Sequence, residues 1–259
     1  MISNSAQEKV PAFSVFYTIA EAARLCGLSQ GQVRRWIQGS SQVVNTPRRA
    51  GEHRTPGLDF LDLIELRYVK AFVEAGLGWH VLRTLHERAV TMLRVDHPFA
   101  TKEFFIDGYT ILTRIAENAL LEAVTDRRGF SRMVNRCLAG GAGLDFDARG
   151  VAIRWWPMGK KRLVLIDPER SFGQPIVSIE GVPTAVLYSA YLTESGSVHN
   201  GKTRNGAKPA SIVRPGRGTL EPKHTLDEAA IARVANWYVV EERSVRAAIE
   251  YESDFLTTA

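Results

Sequence analysis

From residue 17 to 39 the chain YTIAEAARLCGLSQGQVRRWIQG sorts into two short apolar stripes separated by a glycine. In the first, Ala20, Ala23 and Leu25 supply an apolar face. Thr18 with Glu21 fits a capping box, the hydroxyl accepting an amide three residues on and the carboxylate reaching back. Cys26 and Gly27 end that helix, Gly27 suiting a left-handed C-terminal position. Ser29 with Gln32 opens a second helix in the same way, and Val33, Trp36 and Ile37 fall at i, i+3 and i+4 as its buried stripe. Gln30, Gln32, Arg34, Arg35 and Gln38 are left facing outward. Two short helices joined through a glycine predict a helix-turn-helix. The stretch 40–57 has strand-like pieces cut by Gly and Pro, with Arg48, Arg49, His53 and Arg54 making a basic tip, and predicts a β-hairpin wing or basic loop. Residues 58–76 then carry Leu61, Ile64, Tyr68, Phe72 and Ala75 at spacings of three and four, a helix. Gly76 and Gly78 break it before WHVLRTLHERAVTML begins another.

The periodicity changes after residue 100. FFIDGYTILTRI at 104–115 predicts a hairpin, with Asp107–Gly108 as a type I′ turn between β-rich runs. A helix is expected over 117–138, ending at Gly140–Gly141. LDFDARGVAIRWWP at 144–157 predicts a second hairpin turning at Asp147 to Gly150. LVLI at 163–166 is a buried-type strand, DPERSFGQPIV is turn-rich and then extended, and VPTAVLYSAYL is a helix with Pro183 near its start. Residues 195–224, with seven Gly or Pro after Gly196, are expected to form a flexible insertion. TLDEAAIARVANWYVVEERSVRAAIEYE at 225–252 closes the fold. Thr225 and Glu228 make its capping box, Ala230, Val234 and Trp237 face inward, and Val245, Ala248 and Ile249 continue in a last helix.

At 259 residues, 45% hydrophobic and 24% charged, the chain has ordinary globular composition, which excludes a wholly disordered or collagen-like protein. No apolar run approaches the roughly 20 residues of a membrane helix, and the N-terminus lacks the basic start and apolar core of a signal peptide. Cys26 and Cys137 lie far apart in apolar, helix-like sequence, as reduced thiols of a cytoplasmic protein would. The net charge of +5 is concentrated: residues 1–57 carry seven Lys/Arg against three Asp/Glu, and 195–224 carry six against one. Two basic islands on a neutral body point to a polyanion partner.

The order helix, turn, helix, basic wing, "LDFLDLIELR", then "AGLGWHVLR" resembles the N-terminal DNA-binding domain of the MerR superfamily over about residues 15–92. The wing is longer than the commonest family pattern and lacks its Arg-Tyr approach to the following helix. The motif Asp167-Pro168, Phe172-Gly173, Pro175, then Gly181-Val182-Pro183-Thr184, followed by a helix pair ending VEERSVRAAIEYE, resembles the antitoxin-associated domain-of-unknown-function family 433. Head, middle region and tail together resemble large VapB-type antitoxins, which are encoded beside toxins with a PIN-like ribonuclease fold.

These resemblances imply an α+β, mostly α protein. A winged helix-turn-helix occupies 1–94, a β-hairpin and helix bridging or dimerisation region 95–160, and an antitoxin-like helical domain 161–259. They imply transcriptional autoregulation of a toxin–antitoxin operon, with a double-stranded DNA operator and a PIN-like toxin as partners. The second helix would lie in the major groove. Arg34 or Arg35 suits guanine and Gln32 or Gln38 suits adenine, with Thr18, Ser29, Gln30 and the wing residues Arg48, Arg49, His53 and Arg54 completing the DNA-binding set. Symmetric operators favour a homodimer, for which FFIDGYTIL, VAIRWWP and WHVLRTLHERAVTML are the apolar candidates. A MerR-type regulator whose C-terminal half senses a ligand is the alternative.

Other chemistry is weaker. Gly196 to Thr203 satisfies the pattern G-x-x-x-x-G-K-[ST] of a phosphate loop, and Asp167 ends an apolar strand, which would make the chain a P-loop nucleotide hydrolase, but no helix is expected after the loop and the strand precedes it. Trp155 and Trp156 read as core and interface packing rather than base stacking. Lys160-Lys161-Arg162 reads as a solvated turn. Glu241-Glu242 and Asp145/Asp147 read as surface, and Asp167 as a cap on the turn at Pro168. His80 and His86, six apart, do not face each other as a pair, and His97, His199 and His224 have no ligand partner nearby in sequence. No catalytic residue, metal or cofactor is expected.

Overall fold

The computed structural model describes residues 15–38, 42–44, 57–119, 143–159, 163–196 and 226–258. Helix α1 (Ile19–Cys26) carries the Thr18–Glu21 capping box and ends on Gly27 at φ 61°. Helix α2 (Gln30–Ile37) carries the Ser29–Gln32 box and buries Val33, Trp36 and Ile37. The inward face of α1 is Ile19, Ala22, Ala23, Leu25 and Cys26. Ala20 is exposed, contrary to the expected apolar face, because the stripe is phased by Ile19 and Cys26 at i and i+7. Tyr17 and Leu58 bond reciprocally through their backbones at 2.7 and 3.0 Å, bringing the segments before α1 and before α3 together.

Helix α3 (Phe60–Glu74) starts with a third capping box, Asp59 with Asp62. Helix α4 (Trp79–Leu93) follows after Gly78, and its Trp79 lies 5.5 Å from Trp36 between ring centroids. After α2, the buried Val43 and Val44 donate their amides to the Trp36 carbonyl.

The structure departs from the sequence-based expectation at 104–115. FFIDGYTILTRI is not a hairpin but the body of helix α5 (Lys102–Ala119). Asp107–Gly108 carries the turn signal, yet Phe104, Ile111 and Leu112 stand at i, i+7 and i+8 and are all buried. The Thr101 hydroxyl accepts the Phe104 amide at 3.1 Å, an N-cap that helps start the helix. Phe104 also completes an aromatic cluster, 4.6 Å from Phe99 and 5.5 Å edge-on from Tyr68, which a hairpin could not fill. The rest of the expected 117–138 helix lies outside the described residues.

The second hairpin forms as expected. Strand β1 (Leu144–Phe146) pairs antiparallel with β2 (Ala152–Trp155), and Asp147 Oδ1 accepts the Arg149 and Val151 amides across the turn. Strands β3 (Val164–Ile166) and β4 (Pro175–Val177) extend it to a four-stranded antiparallel sheet in sequential order. Three helices then pack on one another: α6 (Thr184–Glu194), α7 (Glu228–Tyr238) and α8 (Glu242–Thr258). Two details of the closing pair differ from expectation. Asp227, not Thr225, caps α7, accepting the Ala230 amide at 3.0 Å; Thr225 lies outside the described residues. Trp237 is 61% exposed, because Ala230, Ile231, Val234 and Ala235 already fill the inward face and Val239 ends the helix in a left-handed turn.

The fold is therefore mixed and mostly helical. Its larger core runs from the first helices through α5 to Leu144, Ala152, Trp155 and Ile166 of the sheet. A second core joins Val177 to Leu187, Ile231, Val234, Val245 and Ile249 of the last three helices. Among the described residues no helix is long and apolar enough to cross a membrane.

Candidate functional site

Helix α2 presents the side chains that its sequence pattern singles out. Gln30, Gln32, Arg34, Arg35 and Gln38 are all exposed, as are the two cap residues Thr18 and Ser29. Their chemistry is not equally free. The Thr18 hydroxyl donates to Glu21 Oε2 at 2.8 Å and accepts the Glu21 amide at 3.2 Å, and Ser29 Oγ accepts the Gln32 amide. Gln32 Oε1 accepts the Ser29 amide at 2.9 Å, which leaves its NH2 group and one oxygen lone pair to a partner. Arg34 Nη2 lies 3.5 Å from Gln30 Oε1, one turn away on the same ridge. The helix is held from behind by buried Trp36 against Trp79 and by Val33 and Ile37 in the core.

Arg48, Arg49, His53 and Arg54 lie outside the described residues, and so do Cys137, Lys160 to Arg162, His199, His224 and the phosphate-loop pattern through Lys202 and Thr203. Trp155 is a core residue with the Arg67 guanidinium 5.2 Å over its ring, and Trp156 Nε1 donates to Asp145. Asp167 caps its turn, accepting the Glu169 amide, and also pairs with Arg154 at 2.8 Å.

Three constellations escape the sequence pattern because their members are far apart along the chain. Glu65 and His86, both buried, meet between α3 and α4 at 2.9 Å, and Glu65 also accepts the Phe99 amide. Asp59, Asp62 and His97 converge at the start of α3. Arg24 of α1 pairs with the buried Glu252 of α8, which accepts the Thr184 hydroxyl at 2.6 Å.

That last pair floors a groove of about 1000 Å³ between α1 and the tail, lined also by Phe16, Tyr17, Phe172 and Pro183. At its rim Ser171, Phe172 and Gly173 take three successive left-handed conformations, at φ 47°, 54° and 68°. Phe172 is 86% exposed there. An aromatic residue held in the left-handed region and in water carries strain that the surrounding structure must impose. The loop is clamped by Tyr17, whose hydroxyl donates to the Gly173 carbonyl at 3.2 Å. A β-carbon on Gly173 would collide with that hydroxyl.

No protein-family model matches the chain. Its fold matches the crystal structure of Rv2018 from Mycobacterium tuberculosis with a TM-score of 0.60, at 21% identity over 90% of this chain and 96% of that one. In sequence the chain is similar to a protein of Mycobacterium tuberculosis strain H37Rv named "Putative antitoxin VapB45", 25% identical over 194 residues, 65% of this chain and 79% of the relative.

Proposed function

We propose that this chain is a DNA-binding antitoxin of a type II toxin–antitoxin system. A MerR-like head reads an operator, and a tail resembling domain-of-unknown-function family 433 holds a PIN-like ribonuclease toxin. The carrying observation is the similarity to a VapB-type antitoxin over most of the chain, together with a helix α2 whose exposed side chains beyond Gly31 are all Gln and Arg. A helix of that diameter fits the major groove, and Arg and Gln are the side chains that address guanine and adenine edges bidentately. The wing residues Arg48, Arg49, His53 and Arg54 add phosphate contacts in this reading. The toxin docks at the groove rimmed by Phe172, since a strained, exposed aromatic is a costly feature in a free monomer and a natural anchor in a complex. The operator is read by a homodimer, and the role needs no catalytic residue.

The test is a search for a small PIN-like reading frame next to the gene, followed by co-expression with its product. The expected result is a stable complex in which ribonuclease activity is silent, a footprint on the DNA upstream of the pair, and a dimer by sedimentation at micromolar concentration. A monomer with no preference for upstream DNA over random DNA refutes the head assignment, and an adjacent product that neither binds nor cleaves RNA refutes the tail assignment. The second reading, a MerR-type regulator sensing a small ligand, is favoured by the size of the groove. It predicts DNA binding altered by a metabolite and unaffected by the neighbouring protein.

A further inference from the structure

Asp59 and Asp62 open α3 as its N-cap and N3 residues. The Asp62 amide donates to Asp59 Oδ1 and the Asp59 amide to Asp62 Oδ2, both at 2.9 Å. Each carboxylate keeps one oxygen outside this exchange. His97 arrives from the turn after α4, and its Nδ1 stands 3.9 Å from Asp62 Oδ1. The Asp62 side chain is 1% exposed. Among the described residues neither Asp62 Oδ1 nor His97 Nδ1 has a hydrogen-bond partner, although both atoms are buried. A gap of that length is too long for a direct hydrogen bond. Two atoms ligating one ion tetrahedrally at about 2.0–2.2 Å stand about 3.3–3.6 Å apart, a spacing this pair reaches with a side-chain shift of a few tenths of an ångström. The three available ligand atoms, one from each residue, lie within 4.8 Å of one another.

We infer that Asp59, Asp62 and His97 form a binding site for one first-row divalent cation of the zinc class. One imidazole nitrogen with two carboxylate oxygens is a borderline donor set, suited to Zn²⁺ or Co²⁺ and poor for Mg²⁺ or Ca²⁺, which favour all-oxygen shells. Water completes the coordination. The positive end of the α3 dipole opposes a cation here, and a bound ion that displaces any carboxyl proton leaves two carboxylate charges to outweigh that half charge. Glu65 and His86, nearby, are already paired with each other and do not compete. The ion would tie the start of α3, next to the Tyr17–Leu58 bridge, to the turn that leads into the Phe99 cluster. Its effect is to stiffen the head, by mass action on the folded state.

The test uses the full-length chain without an affinity tag, titrated with Co²⁺ and followed by visible absorption. One equivalent is expected to bind, to be displaced by Zn²⁺, and to be indifferent to excess Mg²⁺; Zn²⁺ should raise the melting temperature. His97→Ala and Asp62→Asn should each weaken binding by about tenfold or more. Asp59→Asn, whose amide oxygen can still cap α3, should weaken it while leaving the circular dichroism unchanged. If Asp62→Asn fails to fold, Asp59→Asn and His97→Gln decide. Substoichiometric binding, or stoichiometric binding that survives the His97 and Asp59 substitutions, overturns the site. None of these readouts involves DNA or toxin, so the inference stands or falls apart from the proposed function.

Discussion

Removing the carboxylate of Glu65 should unpick the head from the inside. Its side chain is wholly buried and holds three elements at once: α3, on which it sits, α4 through His86, and the turn at 98–100 through the Phe99 amide, each bond 2.9 Å long. Glu65→Leu keeps the volume and orphans two donors, the Phe99 N–H and the His86 ring N–H. Each buried, unsatisfied donor costs about 1–3 kcal/mol, and the added apolar contact returns part of it. The net loss should be about 2–4 kcal/mol, a large share of a domain's ordinary margin. Glu65→Gln should cost less, about 1 kcal/mol, since its oxygen still accepts the Phe99 amide. His86→Phe removes the second donor, so the double variant Glu65→Leu/His86→Phe orphans only the Phe99 amide. The two single losses should therefore exceed the double by about 1–3 kcal/mol. Urea unfolding followed by circular dichroism measures all four species, and native-state exchange of the Phe99 amide reports the site directly. Costs that simply add, or a Glu65→Leu variant within about 0.5 kcal/mol of the parent, would refute the shared network.

Other outcomes follow from the same geometry. Replacing Arg34 and Arg35 with Ala should cost operator binding about 1–3 kcal/mol for each lost base contact, or flatten the salt dependence by about one charge for each lost phosphate contact. Affinity measured across a salt series separates the two, and an unchanged operator preference would place the reading element elsewhere. Gly173→Ala should loosen the clamp between Tyr17 and the tail by about 2–4 kcal/mol, from left-handed strain plus the collision with the Tyr17 hydroxyl. Tyr17→Phe should restore part of that loss in the same background, as read by denaturation midpoints. Phe172→Gly should stabilise the free chain by about 1 kcal/mol while weakening toxin capture, and a variant that captures toxin as well as the parent would remove the groove from consideration. Burial raises the Cys26 thiol from its ordinary value to about 12, so at pH 8 its thiolate should be scarce. Alkylation mapped by mass spectrometry should therefore run about a thousandfold slower at Cys26 than in the unfolded chain.

Helices α1 and α2 are legible in the sequence because every signal for them is local. The Thr18–Glu21 and Ser29–Gln32 caps join groups three residues apart, and the stripe Val33, Trp36, Ile37 leaves only one face for Gln and Arg. The hairpin turning at Asp147–Gly150 is legible for the same reason: Asp147 bonds amides two and four residues on. FFIDGYTIL misleads because its run of apolar residues satisfies either period, and the local turn signal at Asp107–Gly108 favours the strand. The decision lies in Phe99 and Tyr68, which offer Phe104 an aromatic pocket only once α3 is in place. The same distance along the chain hides Glu65 with His86, Arg24 with Glu252, and His97 with the two aspartates. A cap or a helical stripe is written in neighbouring residues, since backbone geometry alone brings them together. A buried carboxylate finds its partner through the packing of whole helices, and no spacing in one chain encodes which residues will meet there.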